Sequence, residues 1–116
     1  FKHDRDVVLA AVVEDGRALQ YADEGLKRDS VIVVAAVKNF GCSLEFADNS
    51  LKRDRDVVLA AVAQWGFALQ HADESLTCDR EIVLTAIAQS GWALEFADMN
   101  LKRDRDVFLA AVAQNG

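Results

Sequence analysis

Three kinds of side chain in this 116-residue chain could do chemistry: the 19 acidic residues, the 2 histidines and the 2 cysteines. Two groups of carboxylates are close in sequence, Asp48 with Asp54 and Asp56, and Asp73 with Asp79 and Glu81. Such spacing invites a calcium site, but an EF-hand loop needs oxygen ligands at alternate positions around a central glycine. No stretch here has that arrangement. Cys42 and Cys78 form neither a CxxC nor any metal-ligand spacing, so both are expected to be free thiols. His3 and His71 are far apart in the chain and stand at different places in its internal pattern, so they are not expected to share a metal or a proton. Nucleophilic catalysis needs a base within hydrogen-bond reach of Ser, Cys or Lys, and no such set converges on paper. Every glycine is isolated, which excludes a phosphate-cradling loop. The expectation is a protein with no catalytic residues, no metal and no cofactor.

What the chain does have is a repeat. Residues 51–66 read LKRDRDVVLAAVAQWG and residues 101–116 read LKRDRDVFLAAVAQNG, differing only at Val58/Phe108 and Trp65/Asn115. The same phrase recurs from Phe1, Leu26 and Leu76, so the period is 25 residues without insertion. Some columns do not vary: Asp4, Asp29, Asp54, Asp79 and Asp104; Gly16, Gly41, Gly66, Gly91 and Gly116; and Leu19, Leu44, Leu69 and Leu94.

Each unit reads as a pair of helices. In the third, Asp54 is placed as an N-cap, its carboxylate free to accept the orphan N–H groups of the first turn. Val57, Val58, Ala61 and Val62 fall on one apolar arc with Leu59 at its margin. Gly66 is expected to end the helix in the left-handed region. A shorter second helix should start near Phe67 and bury Ala68, Leu69 and Ala72. Asp73 to Cys78 then reverses the chain, with Leu76 plugging the turn. A helix of about 8 residues is unstable alone, so each pair must lean on its neighbours. The expected fold is all-α: an α-solenoid of about four and a half units (1–25, 26–50, 51–75, 76–100, 101–116), one domain of nine helices. The recurring acid at Asp23, Asp48, Asp73 and Asp98 has two readings. It pairs with a Lys four residues on (Lys27, Lys52, Lys102, but Thr77), or it caps a short 3₁₀ turn.

The unit D-x-x-V-V-L-A-A-V-x-Q-x-G-x-A-L-x-x-A-D, as at Asp54–Asp73, resembles the uncharacterised helical "domain of unknown function" repeats of protists, unicellular algae and some large viruses. The resemblance covers essentially the whole chain. A looser similarity is to leucine-rich-repeat variant proteins, which alternate α-helices with 3₁₀ turns. Neither resemblance implies an activity. The second unit departs most, with Ser30-Val31 in place of Arg-Asp and Lys38 in place of Ala.

Composition limits the partners. A net charge of −6, with each basic cluster interleaved by acids (Lys52, Arg53 and Arg55 with Asp54 and Asp56), argues against nucleic acid. The longest apolar runs, 7–13 and 31–37, are far short of the roughly 20 residues of a membrane span, which leaves only peripheral association. The chain starts on Phe1, not Met, and both ends lack a polar capping unit, so a processed or excerpted piece of something longer is expected. No compartment is marked. An intracellular home is expected and, for an algal source, a chloroplast complex. The residues that depart from the repeat flank its invariant glycine: Phe67 and Trp92 stand in the column held by Arg17 and Cys42, and His71 joins the aromatic column of Tyr21, Phe46 and Phe96. Phe67–His71 and Trp92–Phe96 would be i,i+4 pairs on a helix. Aromatic side chains are enriched at binding anchors, so Phe67, Trp92, Phe96, His71 and Phe46 are the expected partner-binding edge, with a thickened core rim as the competing reading. The expected function is a non-catalytic scaffold or protein-interaction module in a larger multi-protein complex. The alternatives are a substrate-recognition fragment of a larger enzyme and a binder of a small hydrophobic ligand or pigment.

Overall fold

The computed structural model describes residues 3–115, and all of its regular structure is helical. Five long helices carry the repeat: α1 (Arg5–Glu14), α2 (Ser30–Asn39), α4 (Arg55–Gln64), α5 (Arg80–Gln89) and α7 (Arg105–Asn115). Between them lie short turns of helix, among them α3 (Asn49–Lys52) and α6 (Met99–Lys102). Consecutive long helices pack side by side in one layer, and the short segments that follow the glycines pack on each other in a second. The result is a slab of 48 × 25 × 16 Å with its core between the layers. Each unit leans on the next, as a repeat stack requires.

The apolar arc is where its periodicity puts it. Val57, Val58, Ala61 and Val62 of α4 are at most 1 % exposed, and Leu59 is half-buried at the margin. Ile32, Val33, Ala36 and Val37 of α2 repeat that pattern, as do Ile82, Val83, Ala86 and Ile87 of α5. Each buried aliphatic side chain contributes about 1.5–3 kcal/mol, which stabilises ten-residue helices too short to persist alone. The caps follow the sequence too. Asp54 accepts from the N–H groups of Asp56 (3.0 Å) and Val57 (3.3 Å), and Asp4, Asp29, Asp79 and Asp104 do the same in their units.

Three details differ from the sequence-based expectation. The second helix of each unit is a six-residue 3₁₀ segment, at Gly16–Tyr21, Gly41–Phe46, Gly66–His71 and Gly91–Phe96. The reversing loop is itself helical, as a 3₁₀ turn at Leu26–Arg28 and Glu74–Leu76 or as α3 and α6. Among the described residues this makes seven α and six 3₁₀ segments where nine helices were expected. The α/3₁₀ alternation is the one implied by the looser of the two resemblances.

The third difference is the glycine. No described residue has a positive φ, so Gly66 is not a left-handed helix end. Helix α4 stops because Trp65 turns to an extended conformation (φ −151°, ψ 111°). Glycine is required for closeness: a Cβ on Gly41 would lie 2.7 Å from the Ala61 carbonyl oxygen and 2.9 Å from Trp65 Cβ of the next unit. Gly16 and Gly66 meet the carbonyls of Ala36 and Ala86 even more tightly. The amide N–H groups of Gly16 and Gly41 donate to Asn39 Oδ1 (2.7 Å) and Gln64 Oε1 (2.5 Å), also one unit ahead.

Two further sets of bonds hold the units together. The Asp73 column caps the turn that follows it: Asp73 accepts from Ser75 N (3.0 Å) and Ser75 Oγ (2.6 Å), and Asp48 and Asp98 accept from the N–H groups of Ser50 and Asn100. Capping is therefore the correct reading, and Lys27 turns instead to Glu24 at 3.4 Å. The second set is an arginine ladder. Arg5, Arg55 and Arg80 each reach the N-cap carboxylate of the next unit, Asp29, Asp79 and Asp104, at 2.7 Å. The ladder has one missing rung, where Ser30 replaces arginine below Asp54.

Candidate functional site

The column after each glycine and the column four residues later carry the candidate side chains. On a 3₁₀ turn, side chains at i and i+3 eclipse, so residues at i and i+4 do not stack as they would on an α-helix. Rings instead meet across units: Phe67 of the third unit packs edge-to-face on Phe96 of the fourth, with ring centroids 6.0 Å apart. Trp65 meets Phe67 at 5.7 Å, also edge-on. The expected pairs Phe67–His71 and Trp92–Phe96 are not among the ring contacts of the described residues. Phe46, Phe67 and Phe96 are half-buried and form part of the stack. Trp92 is not: its side chain is 70 % exposed.

Trp92 overlooks an open apolar groove at the fifth unit, lined also by Leu94, Phe108 and Val112. The residues in the Phe108 column of earlier units, Val33, Val58 and Val83, are fully buried, as are Val37 and Val62 in the Val112 column. Phe108 and Val112 are 51 % and 50 % exposed. This face therefore presents the surface on which, elsewhere in the stack, a following unit sits.

His71 has a different environment. It occupies the third unit's place in the aromatic column, but across the junction it meets Cys42 and Glu45 of the second. His71 Nε2 lies 3.8 Å from Cys42 Sγ and 3.5 Å from Glu45 Oε2, and the three ligand-type atoms all lie within 4.8 Å of one another. Cys42 and Glu45 are i and i+3 on the 3₁₀ segment Gly41–Phe46, which puts their side chains on one line. The expectation that no such set converges is thus corrected. It failed because the three residues come together only through the rise from one unit to the next. The available signal was positional: a lone Cys and a lone His replace the repeat's residues in adjacent units.

Burial, with a smaller push from the Glu45 charge, raises the Cys42 thiol above its ordinary pKa. Burial lowers that of His71, opposed by Glu45 and assisted by the Lys52 charge. Both shifts favour an uncharged thiol beside an uncharged imidazole over a thiolate–imidazolium pair. Cys78 is exposed in a turn, and both cysteines are free. His3 pairs with Asp23 at 3.2 Å on the surface. Next to Cys42, Ser43 is fully buried in a column otherwise held by Ala18, Ala68 and Ala93, and its hydroxyl has no hydrogen-bond partner.

The aspartates of the Asp54 and Asp73 columns are accounted for as caps and ladder rungs. The Arg55 guanidinium, with a smaller contribution from backbone N–H groups, holds Asp79 below the usual carboxylate range. Arg5 does the same for Asp29.

These features define a tandem helical-repeat protein whose unit is an α-helix, a 3₁₀ segment and a capped turn. The family model described as Domain of unknown function (DUF4116) matches residues 4–52, 32–77, 54–100 and 79–116, in overlapping windows that run the length of the stack. The chain belongs to that family. No curated protein and no solved structure matches it. No described helix is long and apolar enough to cross a membrane.

Proposed function

We propose that this chain is a non-catalytic interaction module, a scaffold segment that joins a larger multi-protein assembly by stacking a helical partner on its fifth-unit face. The observation that carries this reading is Trp92, 70 % exposed beside the apolar groove of Leu94, Phe108 and Val112, in a column where Phe67 is half-buried. An exposed tryptophan contributes nothing to folding, whereas desolvated aromatic side chains anchor interfaces. Phe96 and Phe67 extend the edge beside it, and Phe46 and His71 continue it into the earlier units. The repeated aspartates support the non-catalytic part of the reading, since they are engaged in capping and in ion pairs between units.

A photoreactive side chain at position 92 in the native host tests the proposal. The expected result is a discrete protein adduct that is lost with Phe108→Ala and absent when the same group replaces the equally exposed Tyr21. Adducts no more frequent or discrete than those from position 21 would overturn it. A small hydrophobic molecule recovered in place of a protein would favour the ligand-binding alternative. Trp92→Ala should weaken the association by ~2 kcal/mol or more and leave the melting of the isolated chain almost unchanged.

A further inference from the structure

Two departures from the repeat coincide at one junction. Between the second and third units the arginine ladder is missing its rung, because Ser30 stands where Arg5, Arg55 and Arg80 stand in their units. Across the same junction, the column pair that elsewhere brings Phe67 onto Phe96 instead brings Cys42 onto His71, with Glu45 beside them. Cys42 is the one cysteine of its column and His71 the one histidine of its own, and the stacking makes them neighbours. Neither residue suits its position as packing alone, since the repeat uses rings or an arginine there.

We propose that Cys42, Glu45 and His71 form a binding site for a thiophilic divalent cation, zinc above all, which clasps the second unit to the third where the arginine rung is missing. The donor set of one thiolate, one imidazole and one carboxylate suits Zn²⁺, which takes S, N and O ligands in a tetrahedron. Zn–S of about 2.3 Å and Zn–N or Zn–O of about 2.0–2.2 Å place the ligand atoms about 3.4–3.6 Å apart in a tetrahedron. The separations of 3.8 Å and 3.5 Å at His71 Nε2 are within a few tenths of an ångström of these, and the Cys42–Glu45 separation, no more than 4.8 Å, closes by rotation of the exposed Glu45 side chain. Glu45 lies on the solvent side, leaving the fourth position to water.

His71 offers the Nε2 lone pair in its neutral form, as any histidine ligand does. The thiol proton is released to solvent as the Zn–S bond forms, as for any cysteine ligand. The Lys52 charge bears on His71 and opposes the metal. The thiolate and the Glu45 carboxylate together supply two negative charges against it. Such a clasp joins residues 29 positions apart, 42 and 71, and so restrains the relative motion of two units instead of organising one loop.

The test is titration of the full chain, kept reduced by a phosphine that does not bind metal, with Zn²⁺ and with Co²⁺ as a spectroscopic probe. The expected result is one ion per chain, a thiolate-to-cobalt charge-transfer band, the visible bands of a tetrahedral site, and a higher Tm with Zn²⁺ that chelator reverses. Cys42→Ser and His71→Phe should each weaken binding by on the order of a hundredfold or more and abolish the Tm shift. His71→Phe restores the ring that the repeat uses in this column, so its fold is protected. Cys78→Ser should bind as the parent does. Zn²⁺ binding that survives Cys42→Ser or His71→Phe, a cobalt spectrum without the thiolate band, or no binding to the parent chain would each overturn the proposal.

Discussion

The junction between the second and third units and that between the third and fourth share one backbone design and differ in what they place on it. In both, glycine lets a 3₁₀ segment approach the carbonyl of the next long helix, Gly41 on Ala61 and Gly66 on Ala86. In both, an aspartate caps the following helix and a backbone N–H crosses the turn, Asp48 to Lys27 and Asp73 to Lys52, at 3.1 and 3.0 Å. The later junction then adds the Arg55–Asp79 rung and the Phe67–Phe96 ring contact. The earlier one has Ser30 opposite Asp54, and Cys42, Glu45 and His71 in place of rings. The comparison separates what a stacking unit needs, which is close approach and caps, from what it can exchange.

The largest expected effect concerns the shared part. Gly41→Ala should destabilise the chain by about 1–3 kcal/mol or more, because the new methyl meets the Ala61 carbonyl oxygen and Trp65 Cβ, which cannot swing aside, and crowds Gln64 Oε1. Gly66→Ala should do the same, measured as a loss of Tm and of the unfolding midpoint in denaturant. Equal stability of either variant and the parent would show that the units can slide apart, and that close approach is not what the glycine column provides.

Next in size are the caps, where the two junctions should differ. Asp54→Ala removes a cap alone and should cost about 0.5–2 kcal/mol. Asp79→Ala removes a cap and a rung, and should cost about 0.2–1 kcal/mol more. Acid should show the same contrast. Asp79 and Asp29 have pKa values depressed in the folded chain by their arginine partners. Their stabilisation is present above the unfolded carboxylate value of about 3.9 and is lost as pH falls through the lower folded value. Tm should therefore fall below about pH 4, and with a shallower slope in Asp79→Asn. An unchanged slope would remove the rung as a source of stability.

The buried hydroxyl gives a prediction of opposite sign. Ser43 lies in a column where its neighbours in the stack are alanines, and an unpartnered buried hydroxyl costs about 1–3 kcal/mol. Ser43→Ala should raise stability by about 1 kcal/mol in denaturant titration, whereas Ala68→Ser at the later junction should lower it. A loss of stability in Ser43→Ala would mean that the hydroxyl has a partner in solution. The smallest expected effect belongs to the missing rung: Ser30→Arg should complete the ladder to Asp54 and add ~0.2–1 kcal/mol, less at high salt. No gain at low salt would show that the ladder is decorative.

Much of this architecture is written locally and can be read without coordinates. The 25-residue period, the N-cap at Asp54 and the apolar arc of Val57, Val58, Ala61 and Val62 each depend on residues a few positions apart, and helical periodicity alone places them. The Asp73 column was half-legible, since capping and lysine pairing use the same spacing. The 3₁₀ form of Gly66–His71 was not legible from its own residues, because six residues do not distinguish three per turn from three and a half. The aromatic edge was recognised as a set of departures, but which of its rings are engaged in stacking and which is left in water was not. Trp92 and Phe67 share a column, yet Phe67 packs on Phe96 and Trp65 while Trp92 stays exposed.

What only the tertiary structure decided depends on the rise and rotation between units, which no single unit encodes. That offset turns the glycine from an expected left-handed helix end into a point of close approach. It also carries Arg55 to Asp79, 24 residues on, and brings Cys42 and Glu45 against His71, 29 and 26 residues on. The sequence by itself determined the unit and its caps, because these are short-range matters of hydrogen-bond satisfaction and hydrophobic period. The contents of each junction, including the Cys–Glu–His cluster, became legible only once the units were stacked.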